Sequence, residues 1–200
     1  MRVGLGTGST AKYFILALAT RLQHGLRISC VATSEETARL AMVYGLDVQP
    51  LGRDGVDVAG DGADAVDSDL RLIKGGGGAH VREKIVATAA RRFIVIVDDS
   101  KLYDVLPGDM VPVEIVPFGA ERTLALLEST GGAWQLRQAR SDNGNLLADG
   151  RFDSIEDPEG LAARLDAVPG VVGHGLFLGM TDLLIIGHAD GTTEERTPER

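Results

Sequence analysis

The sequence predicts an α/β protein in which a parallel-sheet domain carries an inserted, smaller ferredoxin-like α+β domain. Three observations predict it. Short apolar strand patterns alternate with helical ones over the first half of the chain, the order that builds a parallel sheet. From about Val111 the order changes to β-α-β-β-α-β, the ferredoxin-like pattern. Glycine supplies 26 of 200 residues, well above the usual ~7%, which suits many tight turns between strands and helices.

The elements follow in order. Arg2 to Leu5 is a short strand that runs into the glycine-rich Gly4 to Thr10. Phe14, Ile15, Leu18 and Leu22 then share a helical face, with Ser9 or Thr10 as cap and Gly25 as terminator. Ile28 to Thr33 is the next strand, and Thr33 with Glu36 forms a capping box for a helix ending before Gly45. Leu46 to Leu51 is a strand, and Val56 and Val58 mark another that ends at Gly60-Asp61-Gly62. Leu70 to Ile73 precedes four consecutive glycines. A helix from about Val81 to Arg92 buries the stripe Val81, Ile85, Ala89 and Phe93, with Glu83 and Lys84 off it. Phe93 to Val97 is an apolar strand, and Asp98 to Lys101 emerges from its C-terminal end.

In the second half, Val111 to Val116, Trp134 to Gln138, Leu146 to Phe152 and Val171 to Leu178 are strands. Ala120 to Ser129 and Pro158 to Val168 are helices, and residues 141–145 form a turn. Asp182 to Gly187 reads as a buried strand that returns to the first sheet. The division is therefore 1–110 plus 181–190 for the large domain and 111–180 for the small one. Residues 191–200 are polar and expected to be disordered.

Composition narrows the function. A net charge of −9 with no basic stripe argues against nucleic acid. No apolar run is long enough to span a membrane, and no signal peptide is recognisable, so the expectation is a soluble, intracellular protein without a membrane partner. Cys30 is the single cysteine, so neither a disulfide framework nor a cysteine zinc site is expected.

The chemistry concentrates in residues 61–84. Four glycines in a row are entropically costly and let the backbone approach a ligand closely. Lys74 before Gly75, Gly76 and Gly77 offers an ammonium and bare N–H groups to a polyoxygenated anion. Glu83 stands in the first turn of a helix, where the dipole favours its charged form. Asp61 and Asp64 sit at a strand end, and Lys101 at the same rim. Thr7, Gly8, Ser9 and Thr10 make a strand-to-helix turn that suits a phosphate or is merely structural. It is not a dinucleotide fingerprint, because the third glycine position falls on Ser9. Asp67 and Asp69 read as a solvated loop. Their spacing does not match a calcium loop, the four histidines show no ligand pairing, and no metal is expected. The pattern reads as a sugar-phosphate site with a carboxylate base.

At this point the chain resembles the type A ribose-5-phosphate isomerases. The resemblance is carried by GLGTGST (4–10), DGAD (61–64), IKGGGGA with REK (73–84), DDSK (98–101), PVEIVPF (112–118), SDNGN (141–145) and PGVVGHGLF (169–177), in order across nearly the whole chain. It implies a Rossmann-like sheet with a ferredoxin-like lid. It also implies interconversion of D-ribose 5-phosphate and D-ribulose 5-phosphate through an enediolate, in the non-oxidative pentose phosphate pathway. No metal or organic cofactor is implied, and the enzyme would be a cytoplasmic homodimer or homotetramer. Carried over by motif, Thr7 to Thr10 bind the substrate at its phosphate. Asp61, Gly62, Ala63 and Asp64, with Lys74, Gly75, Gly76 and Gly77, line the sugar. Glu83 is the base and Lys101 a further contact. Asp61 is the first candidate for ring opening, with Asp64 holding hydroxyls or sharing that role. Two departures stand out: the family normally has a helix before its first strand, and it usually has Glu where this chain has Ala65. The competing readings are a non-catalytic sensor or inactive relative of the same fold, and coenzyme A transfer. Glu83 and Lys74 together favour catalysis over sensing.

Overall fold

The computed structural model describes residues 1–198. The first elements are β1 (Arg2–Leu5), α1 (Ser9–Gln23), β2 (Ser29–Ala32), α2 (Glu35–Val43), β3 (Asp47–Val48) and β4 (Val58–Asp61). There follow β5 (Ala65–Val66), β6 (Leu72–Ile73), α3 (His80–Thr88), β7 (Phe93–Asp98) and a 3-10 turn at Asp99–Lys101. The remainder comprises β8 (Val111–Ile115), α4 (Ala120–Glu128), β9 (Ala133–Arg140), β10 (Leu146–Arg151), α5 (Pro158–Asp166), β11 (Val171–His174), β12 (Leu176–Phe177), β13 (Leu183–Gly187) and β14 (Thr193–Arg196). None of the described helices is long and apolar enough to cross a membrane.

The chain forms two compact units. One comprises Met1–Ala63, Arg82–Ser100 and Met180–Arg200; the other comprises Asp64–Val81 and Lys101–Gly179. The sequence pattern alone puts 64–81 and 101–110 in the large domain. They join the second unit because β6 pairs with both β5 and β12, and because Ala65, Ile73 and Leu106 pack in one apolar cluster with Val111, Val113 and Leu176.

The first unit is built on a seven-stranded sheet of order β14-β13-β7-β4-β1-β2-β3, parallel except for β14. Register fixes what each face meets. Gly4 pairs with Ala59, and a Cβ on Gly4 would lie 2.6 Å from Val86 of α3. Leu5 pairs with Gly60, where a Cβ would lie 2.7 Å from the Phe14 ring of α1. One face therefore packs on α1 and the other on α3, and glycines let both helices come close. Val3, Leu5, Ile15, Cys30, Ala41 and Leu46 form the core under α1 and α2.

Three local expectations are corrected. Ser34, not Thr33, caps α2 by accepting the Thr37 N–H at 3.0 Å, while the Thr33 hydroxyl donates to Leu5 O instead. Helix α3 stops at Thr88, and its buried positions are His80, Glu83, Val86 and Ala87; Ile85 is 52% exposed. The expected stripe was thus rotated, because a carboxylate occupies the inner face of a helix whose apolar residues were assumed to mark that face. The tail expected to be disordered forms β14 over Thr193–Arg196, antiparallel to β13. An open strand edge needs backbone partners rather than apolar side chains, so a polar segment can satisfy it. Glu199 and Arg200 lie outside the described residues.

The second unit has a four-stranded antiparallel sheet of order β11-β8-β10-β9 with helices α4 and α5, and a separate three-stranded sheet of order β12-β6-β5. The expected strand Val171 to Leu178 breaks at Gly175 and serves both sheets. A Cβ there would lie 2.1 Å from Lys74 O, so only glycine lets the chain pass that close.

Cys30 is fully buried in β2. Burial, and secondarily the charge of Asp47, pushes its thiol up to about 11. At pH 8 that leaves only about one thiolate in a thousand, and the thiolate is the reactive form. A thiol reagent at pH 8 is expected to leave Cys30 intact in the folded chain and to modify it fully in denaturant. Rapid labelling of the native protein would show that β2 opens.

Candidate active site

In the first unit the predicted residues gather around one carboxylate. Asp61 ends β4 and is 3% exposed. Its Oδ1 accepts N–H bonds from Thr7 at 3.1 Å and from Gly62 at 2.8 Å. Gly6 admits this contact, since a Cβ there would stand 2.0 Å from the same oxygen. Gly62 lies beside Thr10, 3.4 Å from its Cβ by the same measure.

The Thr7 side chain is held internally. Its hydroxyl lies 2.7 Å from that of Thr33 and 3.2 Å from that of Thr37. Those two hydroxyls donate to Leu5 O and Gly6 O, so Thr7 supplies the proton it shares with them. Both of its donors are thereby committed to the turn. The donors left to a ligand belong to the start of α1. Gly8 is the N-cap and gives no side-chain cap, Gly8 and Ser9 are exposed, and Thr10 is half-buried. A 15-residue helix with an uncapped first turn presents N–H groups and a positive dipole end to an anion. Glu83 is in the first turn of α3 and is 5% exposed.

In the second unit the glycine run is the centre. Asp64 donates its N–H to Ile73 O and accepts the Gly76 N–H on Oδ2 at 2.7 Å. Gly75 and Gly78 have φ of +110° and +79°, and the Gly78 N–H closes a turn on Gly75 O at 2.9 Å. Lys74 is 2% exposed, its N–H donates to Gly175 O, and its Nζ stands 5.5 Å from the centre of the Phe177 ring. That cation–π contact helps accommodate a buried ammonium. Lys101 ends the 3-10 turn, half-buried, with no ion pair among the described residues.

The structure thus brings together Thr7, Thr10, Asp61 and Gly62 in one unit, and Asp64, Lys74, Gly75 and Gly76 in the other. Asp67 is not a solvated loop residue: it is buried, its Oδ2 pairs with Arg71 Nε at 2.7 Å, and its Oδ1 takes the N–H groups of Asp69 and Arg71. Ala65 is 2% exposed within the apolar cluster. Among the described residues, no three His, Cys, Asp or Glu side chains are grouped as metal ligands. The sequence reading missed Arg137 and Asp149. Arg137 donates Nη1 hydrogens to Gly75 O and Gly76 O at 3.0 Å each, and Asp149 holds its Nε and Nη2.

Comparison with known proteins identifies the family. Residues 29–191 match the family model described as ribose 5-phosphate isomerase A (phosphoriboisomerase A). A ribose-5-phosphate isomerase A of a Roseiflexus species is 48% identical over 208 residues, covering 99% of this chain and 89% of the relative. That of Methanothermobacter thermautotrophicus is 45% identical, covering 94% and 87%. Among solved structures, ribose 5-phosphate isomerase from Plasmodium falciparum superposes with a TM-score of 0.95 at 35% identity, covering 100% of this chain and 92% of that one. A D-ribose-5-phosphate isomerase in complex with phospho-erythronic acid gives 0.93 at 38% identity, covering 98% and 90%.

The contact between Gly6 and Asp61 is tight enough to test. Gly6→Ala is expected to push the Asp61 carboxylate off the Thr7 and Gly62 amides and to cost about 1–3 kcal/mol in denaturant unfolding. An unchanged unfolding midpoint would mean that β1 and β4 are not held at this separation.

Proposed function

The chain belongs to the ribose 5-phosphate isomerase A family, and from that membership we infer that it interconverts D-ribose 5-phosphate and D-ribulose 5-phosphate. The observation that carries the residue assignment is the peptide from Lys74 to Glu83. Within ten residues it holds a buried ammonium, a glycine turn with two positive φ angles, and a buried carboxylate in the first turn of a helix.

We propose Glu83 as the base. With the sugar open as its aldehyde, the Glu83 carboxylate takes the proton from C2. The C–H electrons form the C1–C2 double bond, and negative charge collects on O1, giving an enediolate. The Glu83 carboxylic acid then returns a proton to C1, while the proton of the C2 hydroxyl passes to O1 and C2 becomes the carbonyl. No atom is gained or lost, so one carboxylate serves both directions. The charge that develops on oxygen needs donors already in place, for which the Lys74 ammonium and the Gly77 N–H are suited, since the Gly76 N–H is bonded to Asp64 and the Gly78 N–H to Gly75 O.

Asp61 is our candidate for moving the proton that opens the furanose ring, and Asp64 for holding hydroxyls. Gly8, Ser9 and Thr10 at the start of α1 take the phosphate. That handle lends binding energy to position the reacting carbons. Lys101 is a further substrate contact. We place the enzyme in the cytoplasm as a homodimer or homotetramer on the family resemblance.

Turnover of ribose 5-phosphate is expected to persist in EDTA, and Glu83→Gln is expected to lower kcat by about 10²–10⁴ without unfolding the chain. Near-normal turnover in the variant would remove Glu83 as base. Loss of parent activity in EDTA, restored by a divalent cation, would sink the metal-free mechanism.

A further inference from the structure

Arg137 stands on β9, outside every motif that carried the functional reading, yet each of its five N–H bonds points at a protein acceptor. Nε donates to Asp149 Oδ2 at 2.7 Å, and Nη2 donates to Asp149 Oδ1 at 2.5 Å and faces Met110 Sδ at 3.9 Å. Nη1 places its two hydrogens on Gly75 O and Gly76 O. The side chain is 16% exposed. Such a planar fork, locked bidentately on one side, fixes its other side in direction as well as distance.

That direction has a consequence for the glycine run. In a trans peptide the N–H points opposite to the C=O of the same plane, and the chain has no cis peptide. Gly75 C=O faces Arg137, so the Gly76 N–H faces away, where it meets Asp64 Oδ2 at 2.7 Å. Gly76 C=O also faces Arg137, so the Gly77 N–H faces away too. Glycine peptides otherwise flip at little steric cost, and a flipped plane presents a carbonyl oxygen where a donor is required. Asp149 neutralises the guanidinium, so the arginine's contribution is orientation rather than long-range charge.

We propose that Arg137, set by Asp149, is a positioning residue for the isomerisation: it holds two consecutive glycine peptides so that the Gly76 N–H stays on Asp64 and the Gly77 N–H is turned toward the developing enediolate. The proposal rests on the isomerase reading above and deepens it. It requires the fork, not merely the charge, so lysine is expected to fail almost as badly as alanine.

The test compares the parent chain with Arg137→Lys and Arg137→Ala. It measures kcat and KM for ribose 5-phosphate, amide hydrogen exchange of the 74–79 peptide, and thermal unfolding. Both variants are expected to lose about 10²-fold or more in kcat, on the scale of a lost oxyanion donor, with KM within a few-fold of the parent. Exchange across 74–79 is expected to rise. Added guanidinium should restore part of the activity of Arg137→Ala but not of Arg137→Lys, whose side chain fills the space. Full kcat or unchanged exchange in Arg137→Ala overturns the proposal. So does a loss of activity that tracks a collapse in thermal stability and resists guanidinium, which marks a scaffold role only. If Glu83→Gln keeps its turnover the base assignment fails, whereas the exchange readout still decides on Arg137, because it needs no catalysis.

Discussion

Close packing against β1 and β4 is the constraint on which the first unit depends. It is set by glycines whose missing Cβ atoms would fall 2.6 Å from Val86 at Gly4, 2.0 Å from Asp61 Oδ1 at Gly6 and 2.7 Å from Phe14 at Gly60. Two of these let helices lie flat on the sheet's faces. The third lets a carboxylate tuck under the β1–α1 turn and take the Thr7 N–H. The turn is held from its other side by the Thr7, Thr33 and Thr37 hydroxyls, so its shape follows from the sheet and from α2 together. A pre-shaped turn leaves the first-turn amides of α1 directed before any anion arrives, and the ordering cost is met at folding rather than at binding.

The second unit handles buried polarity by the same economy of partners. Glu114, fully buried in β8, takes the Asn143 and Asn145 side-chain amides on one oxygen at 3.0 and 2.7 Å. The SDNGN turn is thereby tied to the centre of the sheet, and with it the β9–β10 hairpin that bears Arg137 and Asp149. Asp67 is likewise surrounded by Arg71 and two amides. In a low-dielectric interior such bonds fix geometry; both Asp67 oxygens are matched, whereas Glu114 Oε2 is buried with no hydrogen-bond partner among the described residues.

Much of the fold was legible because strand and helix periods are distinct in this chain: the parallel order of the first strands, the antiparallel sheet and the returning β13 all follow the apolar pattern. What was not legible lay where one residue answers to two demands. Glu83 sits on the inner face of α3, so reading that face from apolar spacing turned the helix the wrong way. Gly175 breaks a strand for the sake of Lys74 O, a contact about a hundred residues away that leaves no local trace. The partners of Thr7 are similarly remote. Arg137 and Asp149 were within reach: counting outward symmetrically from Asn143 sets them opposite each other, although a bulge between Leu146 and Ala148 shifts the actual register. The tail also carried a signal. Asp190-Gly191 is a hairpin dipeptide, and Asp190 accepts from Thr192 while Gly191 adopts φ of +87°.

Strand β14 has a meaning beyond closing a hairpin. Its four residues are all exposed, and the row Thr-Glu-Glu-Arg lies along the apolar β13, whose Leu184 and Ile186 are fully buried. Without it, the sheet would end in an apolar strand with unpaired N–H and C=O groups, the template on which chains stack edge to edge. A charged, hydrophilic border strand instead makes each further addition electrostatically and sterically awkward. The segment that looked most dispensable in the sequence is therefore a guard against self-association through the sheet edge, and shortening it trades a few polar residues for a colloidal liability.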